Sequence, residues 1–190
     1  KYILRKSSEI CAISKSYLSW GEKYSKRSIK EKNIFYIGYK KPKIENDKKI
    51  WSTFLKKKNV PLEKKYILFS GTFCESYDLS PIAEAARIIK EKGYRDYHFL
   101  IAGEGTLPKD ILEEIKNSSD ISLLGWLNKK ELNFCLNNSY AGLAPYSKGA
   151  LMSLPNKFFE YLAYGLPIIS SLESEMKVLI KEKKLGFNYY

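Results

Sequence analysis

One hundred and ninety residues with a hydrophobic share of 44% fill one ordinary domain, or one and a fraction, and bury a real core, which excludes a disordered chain. Lys and Arg number 33 against 21 Asp and Glu, and the formal charge of +12 points to an anionic partner: nucleic acid, a phosphorylated ligand or lipid headgroups, with no choice among them. One histidine, His98, and three cysteines, Cys11, Cys74 and Cys135, without paired spacing exclude a multi-histidine metal site and a CxxC redox motif.

A reduced, cytosolic chain is the simplest reading. No apolar run approaches the roughly 18 to 20 residues that cross a bilayer, and the opening KYILRKSSEICAIS lacks the apolar core of a signal peptide. The chain opens on Lys1 rather than Met and stops at GFNYY, so it reads as an excised piece of a longer protein.

Residues 1–33 are rich in Ser, Lys and Tyr with one short apolar stretch, Ile10 to Ile13, and read as belonging to a different unit. From residue 34 onward short β-branched or aromatic runs alternate with segments of helical period, the pattern of βα units on a parallel sheet. Strands are expected at IFYIGY (34–39), YILFSG (66–71), YHFLIAG (97–103), ISLLG (121–125), YAGLAPY (140–146) and PIISS (167–171). Several are nearly continuous apolar runs, as strands covered on both faces are. After the first of them KKPKIEND (40–47) reads as a linker, leading to a short amphipathic helix, DKKIWSTFLKKKN. In LSPIAEAARIIKEKG the apolar residues Leu79, Ile82, Ala83, Ala86 and Ile89 recur at three- and four-residue steps, Asp78 caps the start and Gly93 ends it. Further helices are expected at PKDILEEIKNS, KKELNFCLNNS, NKFFEYLAYG and ESEMKVLIKEKKLG, with Gly165 and Gly186 as stops. The lysine clusters at 56–58 and 181–184 read as solvated helix faces. Five crossovers in so short a span indicate an α/β, doubly wound parallel sheet rather than an eight-fold barrel.

In an open parallel sheet ligands bind beyond the carboxyl ends of the strands, so the residues just after each strand carry the information. A GxGxxG fingerprint starting at Gly103 and Gly105 fails at Pro108, and no GxxxxGK loop is present. These two glycines either make a tight turn or admit a ligand to the backbone. The richest stretch is SLPNKFFEYLAYG (153–165). A polar turn, Ser153, Leu154, Pro155 and Asn156, enters a helix whose unpaired N–H groups suit phosphate, and Lys157 adds a point charge there. Glu160, one turn on, can accept from a vicinal diol such as ribose. The plainer alternative is a surface Lys157–Glu160 pair at i, i+3, with Phe159, Leu162 and Ala163 on the core face.

At these residues the sequence resembles the family 4 retaining glycosyltransferases of the GT-B fold. SLPNKFFEYLAYGLPIISS after YAGLAPY looks like their sugar-nucleotide site, in the subset bearing the PNK pattern, and GTFCESYDLSPIAEAARIIKE, FLIAGEGTL and ISLLGWLNKKEL follow the family in the right order. The resemblance implies a Rossmann-like C-terminal, donor-binding half over residues 34–190, truncated at its C-terminal end, with residues 1–33 as the tail of the N-terminal acceptor domain and linker. Glu160 matches the second glutamate of the family's E-x7-E motif, which holds the ribose hydroxyls, whereas the first position is Met152. Gly71 and Thr72 match the turn that approaches the donor, and Gly125, Trp126 and Leu127 match the segment that frames the base. The basic pair that relatives place after the first strand is missing from GTFCESYDL, so diphosphate neutralisation falls to Lys157 and the helix N-terminus. Glu160 and Lys157 are therefore expected to carry the chemistry.

The activity implied is hexosyl transfer from a nucleotide-diphosphate sugar, a UDP-sugar first, to a glycan or polyprenyl-linked acceptor in bacterial polysaccharide assembly. The fragment alone should bind nucleotide and transfer little. With no D-x-D in the chain, no metal is expected. The protein is expected in the cytoplasm; the positive surplus suits peripheral association with the inner face of the membrane, or reflects a lysine-rich proteome. Two rival readings are a basic nucleic-acid-binding module, against which the lysines are scattered rather than gathered on one face, and a GT-B scaffold without catalysis. His98, mid-strand, reads as a core residue.

Overall fold

The computed structural model describes residues 1–40, 42 and 47–189, so most of the expected linker at 40–47 lies outside the described residues. The N-terminal part forms helices α1 (Tyr2–Lys6) and α2 (Lys15–Ser25) and a 3-10 turn, Glu31–Asn33. Helix α3 (Lys48–Lys57) follows, and then an alternating series: β1 (Lys65–Ser70), α4 (Ser80–Glu91), β2 (Tyr97–Ala102), α5 (Lys109–Asn117), β3 (Ile121–Gly125), α6 (Lys129–Asn138), β4 (Ser139–Ala144), α7 (Asn156–Ala163), β5 (Ile168–Ser170), α8 (Glu175–Lys183) and β6 (Gly186–Asn188).

All five strand pairings are parallel, in the order β3-β2-β1-β4-β5-β6. The expected α/β doubly wound sheet is thus present, and its order reverses between β1 and β4. Side-chain alternation along the strands sorts the core into two layers. Ile67, Phe69, Phe99, Ile101 and Leu143 pack under α4 and α5, whereas Leu68, Leu100, Ala144 and Ile168 pack under α3, α6, α7 and α8. Because both faces are covered, the strands read as unbroken apolar runs.

Helix starts follow side-chain chemistry. Ser14, Asp47 and Ser174 cap α2, α3 and α8, and Asn128 with Glu131 forms a reciprocal capping box on α6. Asp78 stands one residue before the cap position of α4, which is Leu79 with no side-chain cap bond, so it is not the N-cap the sequence suggests; it accepts from Ser80 N at 3.0 Å and Ser80 Oγ at 2.6 Å.

Three further expectations are corrected. Residues 34–39 form no sheet strand: Ile34 makes an isolated bridge to Ala12, with Phe35 N donating to Ala12 O at 2.8 Å, and the segment runs along the N-terminal part instead of reaching the edge strands β3 and β6. The sixth strand is instead Gly186–Asn188. Gly186 is therefore not the stop of α8; Lys184, in the left-handed conformation at φ 53°, ends that helix. Among the expected solvated lysines, Lys58 is half-buried and donates to Leu124 O at 2.7 Å, tying α3 to the end of β3. The residue 1–33 segment packs on the sheet domain through Ser16 N, which donates to Glu175 Oε2 at 3.1 Å. Among the described residues no helix is long and apolar enough to cross a membrane.

Candidate functional site

The crevice lies where the order reverses, at the carboxyl ends of β1 and β4. Helix α7 is fixed over it by Tyr161, which is fully buried and donates its hydroxyl to Leu143 O (3.0 Å) and Leu68 O (3.2 Å), one carbonyl from each flanking strand. The ring lies where a side chain at residue 142 would stand: a Cβ on Gly142 would meet it at 2.4 Å. Burial of that ring contributes roughly 2 kcal/mol, and it sets how far the first turn of α7 projects past the sheet.

That turn starts at Pro155, and no side chain caps it, unlike α2, α3, α6 and α8. Of its first N–H groups, Phe158 N donates to Pro155 O at 2.9 Å, and none has a side-chain acceptor from the cap. Lys157 turns inward. Only 7% exposed, it donates from Nζ to Ser70 O at the end of β1 and sits over the rings of Phe69 (4.6 Å), Tyr77 (5.1 Å) and Tyr161 (5.8 Å). The plainer alternative, a surface pair with Glu160, does not appear: the ion pairs of the described residues do not join these two. Burial holds the Lys157 ammonium well below the usual lysine range, at about 8, against the opposing pull of Glu160. The buried residues of α7 are accordingly Lys157, Phe158 and Tyr161; of the expected core face, Phe159 and Leu162 are half-buried and pack against the same core, and Ala163 is half-buried. Residue type read without its neighbours assigns a lysine to the polar face; only the aromatic floor shows that this one is inside.

Glu160 is half-buried and accepts from Tyr39 Oη at 3.0 Å. It lines, with Pro155, Asn156, Lys157, Tyr77 and Tyr146, a cavity of about 410 Å³ whose far wall is Ile13, Tyr17 and Ile37. Met152 and Leu154 also line it. Ser153 is buried, and its carbonyl accepts from Ser174 Oγ (2.8 Å) and its hydroxyl contacts Glu175 Oε2 (3.3 Å), so it anchors the turn to α8. Sequence alone does not single out Tyr39 or Tyr77. Tyr39 sits in a β-branched and aromatic run that reads as a strand, and Tyr77 in a loop whose only obvious signal is its lack of basic residues.

The other expected residues gather at the ends of β1, β2 and β3. Gly71 N donates to Ala102 O and Gly103 N to Gly125 O, both at 2.9 Å, and Phe73 N donates to Glu104 O at 2.8 Å. The loops are thus zipped together by backbone. A Cβ on Gly103 would come within 1.9 Å of Gly71 O, and one on Gly105 within 2.2 Å of Phe73 O, so loop-to-loop approach accounts for both glycines. Thr72 is exposed between them. Gly71 also abuts Lys157, whose Nζ lies 3.0 Å from where its Cβ would be. Leu127 is buried, while Trp126 is 68% exposed, a surface side chain, with its backbone N–H toward Glu104 Oε1 at 3.4 Å. His98 is buried on β2, its Nε2 2.9 Å from Ser122 Oγ, with burial lowering its pKa. Among the described residues no group of three His, Cys, Asp or Glu could hold a metal ion.

Comparison with known proteins places this architecture. The family model of the glycosyl transferases group 1 matches residues 64–188. Comparison with curated proteins gave no significant match. Among solved structures, WaaG, a glycosyltransferase involved in lipopolysaccharide biosynthesis, superposes at a TM-score of 0.70 with 14% identity, over 96% of this chain and 49% of its own. Anabaena HepE, solved in complex with UDP-glucose, gives 0.71 with 10% identity over 98% of this chain and 51% of its own. A mutant of S. aureus TarM, solved in complex with UDP and other ligands, gives 0.64 with 14% identity over 98% of this chain and 35% of its own. This chain therefore spans about half the length of the first two and about a third of the last. The likeness is one of fold, the Rossmann-like half of a GT-B architecture. The chain belongs to the group 1 glycosyl transferases.

Proposed function

We propose that this domain binds a nucleotide-diphosphate sugar, a UDP-sugar in the first instance, and presents its hexosyl group, with retention of configuration, to a glycan or lipid-linked acceptor held by the rest of the enzyme. The observation that carries the reading is the convergence on one cavity of the uncapped first turn of α7, the buried ammonium of Lys157 and the carboxylate of Glu160. The N–H groups at the start of α7 and the cation meet the diphosphate, where charge grows as the sugar departs. They are fixed before reaction, so they need no reorganisation to stabilise the leaving group. Glu160, one helical turn deeper, accepts from the ribose hydroxyls. Gly71 and Thr72 line the approach to the phosphates, and Gly125, Trp126 and Leu127 frame the base.

This assignment corresponds to the PNK-bearing subset of family 4, in which the turn 153–157 does the work of the glutamate that Met152 replaces. Met152 lines the cavity without offering an acceptor. Leaving-group stabilisation by N–H groups and Lys157 makes transfer independent of divalent metal; loss of activity in EDTA that Mg²⁺ restores would refute that part. Anionic lipid attracts the +12 surface, bringing lipid-linked acceptors close.

The test is calorimetry of this protein with UDP, GDP and ADP, with Glu160→Ala as control. UDP binding that weakens at least about tenfold in Glu160→Ala, the order expected for a lost charged hydrogen bond, supports the site. Equal, unchanged responses to all three nucleotides overturn it. Turnover by the complete enzyme separates a transferase from a scaffold.

A further inference from the structure

We propose that Tyr39 is a positioning residue for Glu160, holding the carboxylate so that one oxygen serves the nucleotide, and that it thereby makes the site selective for ribose over deoxyribose. The inference rests on the donor-site reading above and adds to it a residue from outside the sheet.

Tyr39 Oη donates to Glu160 Oε1 at 3.0 Å. Its ring meets Tyr164 edge-on, with centroids 6.5 Å apart at 64°. Tyr164 in turn donates its hydroxyl to Asn133 Oδ1 at 2.6 Å. A chain of contacts therefore runs from α6, through the end of α7, to the segment before α3, and closes on the carboxylate. Glu160 has three rotatable side-chain bonds and a half-exposed position, so without a partner it would sample several rotamers and lose affinity by having to order on binding. Among the described residues Oε1 has Tyr39 as its partner and Oε2 has no hydrogen-bond donor. Burial, with Glu160 adding to it, pushes the Tyr39 hydroxyl above the usual phenol range, so it remains a donor throughout physiological pH. The free oxygen, aimed from a fixed rotamer, is what distinguishes a ribose hydroxyl from a hydrogen. Recognition of a hydroxyl by a fixed acceptor discriminates more sharply than a pocket of matching shape.

The experiment is calorimetry with UDP and 2′-deoxy-UDP on the wild-type protein, Tyr39→Phe and Glu160→Ala. Tyr39 is 42% exposed, so its phenylalanine variant folds. The wild type should prefer UDP by about tenfold, and Tyr39→Phe should lose about five- to tenfold in UDP affinity, the order of one charged hydrogen bond, while 2′-deoxy-UDP changes by less than about twofold. Equal losses for both nucleotides would reduce Tyr39 to a wall of the cavity and overturn the proposal. Tighter UDP binding by Tyr39→Phe would make it a competitor for Glu160, and no change would make the contact idle; either overturns it. A wild type that binds UDP and discriminates, with Tyr39→Phe unaltered, removes this assignment alone, whereas a wild type that binds no nucleotide removes the donor-site reading and this one together.

Discussion

Two halves of the same sheet edge are built in different ways. At the ends of β1, β2 and β3 the loops close on one another through backbone, Gly71 to Ala102, Phe73 to Glu104 and Gly103 to Gly125. At the ends of β4 and β5 backbone bonds also occur, Asp78 N to Pro145 O and Ser147 N to Ser76 O, but the turn and helix from 153 to 161 are held mainly by side chains: Tyr161 on two strand carbonyls, Ser153 against α8, Lys157 over three rings. The zipped half has shape and little charge. The pinned half keeps a cavity, a helix terminus without a side-chain cap and two ionisable groups. Where backbone satisfies backbone, few polar groups are left over and a ligand meets mainly shape; where side chains do the joining, polar groups remain to be used.

The largest effect that would break this contrast is Gly103→Ala. Its Cβ would lie within 1.9 Å of Gly71 O, at φ 138°. The cost should be about 3–5 kcal/mol in chemical denaturation, the range for strain plus steric overlap at a packed position, and an unmoved midpoint would mean the loops are loosely joined.

Next is Lys157→Met, which keeps the volume and removes the buried charge. UDP affinity should fall about 100-fold, the order of a desolvated phosphate contact, while thermal stability holds or rises because an ammonium no longer has to be buried. A stability loss equal to the binding loss would mean that Lys157 only supports the fold.

A smaller, pH-dependent effect sharpens the same point. The folded-state value for Lys157, about 8, lies below the ordinary 10.5. The folded chain therefore binds fewer protons than the unfolded chain between those values, so the penalty of the buried charge is complete below pH 8 and is relieved as pH rises from 8 to 10.5. Diphosphate binding favours the charged form, so UDP affinity should fall by up to about tenfold per pH unit above 8, with uptake of one proton, and Lys157→Met should be flat. Titrations in buffers of different ionisation enthalpy measure the proton directly. The smallest change belongs to the zipped half: Trp126→Ala should alter stability by less than about 0.5 kcal/mol, its side chain being exposed, and weaken nucleotide binding about fivefold through lost stacking on the base.

The site is legible in the sequence in part. The turn before Lys157 and the glutamate a helical turn later are visible because a helix start after a strand end is a local pattern. The direction in which Lys157 points is not, since it depends on Phe69 and Tyr77, which lie more than seventy residues away. Tyr39 reads as part of a strand because it closes a run of β-branched and aromatic residues, IFYIGY. Such a run reports that a segment suits a sheet, and says nothing about whether a sheet edge is there to receive it. Here the edges belong to β3 and to β6, a strand of three residues too short to leave a periodic trace.

By itself the sequence determined the layered α/β class, five of the six strands and the helices that cover them, and it marked the segment from 153 to 160 as the candidate site, because periodicity, caps and turn residues act over a few positions and are written in the chain. Tertiary structure alone decided that Lys157 is buried as a cation on an aromatic floor, that Glu160 is held from the far side by Tyr39, and that the glycines at 103 and 105 serve the meeting of two loops. Each of these is a contact between residues distant in sequence, set by which strands are neighbours, and the physical consequences, desolvation, a fixed rotamer and a backbone approach, exist only once those neighbours are in place.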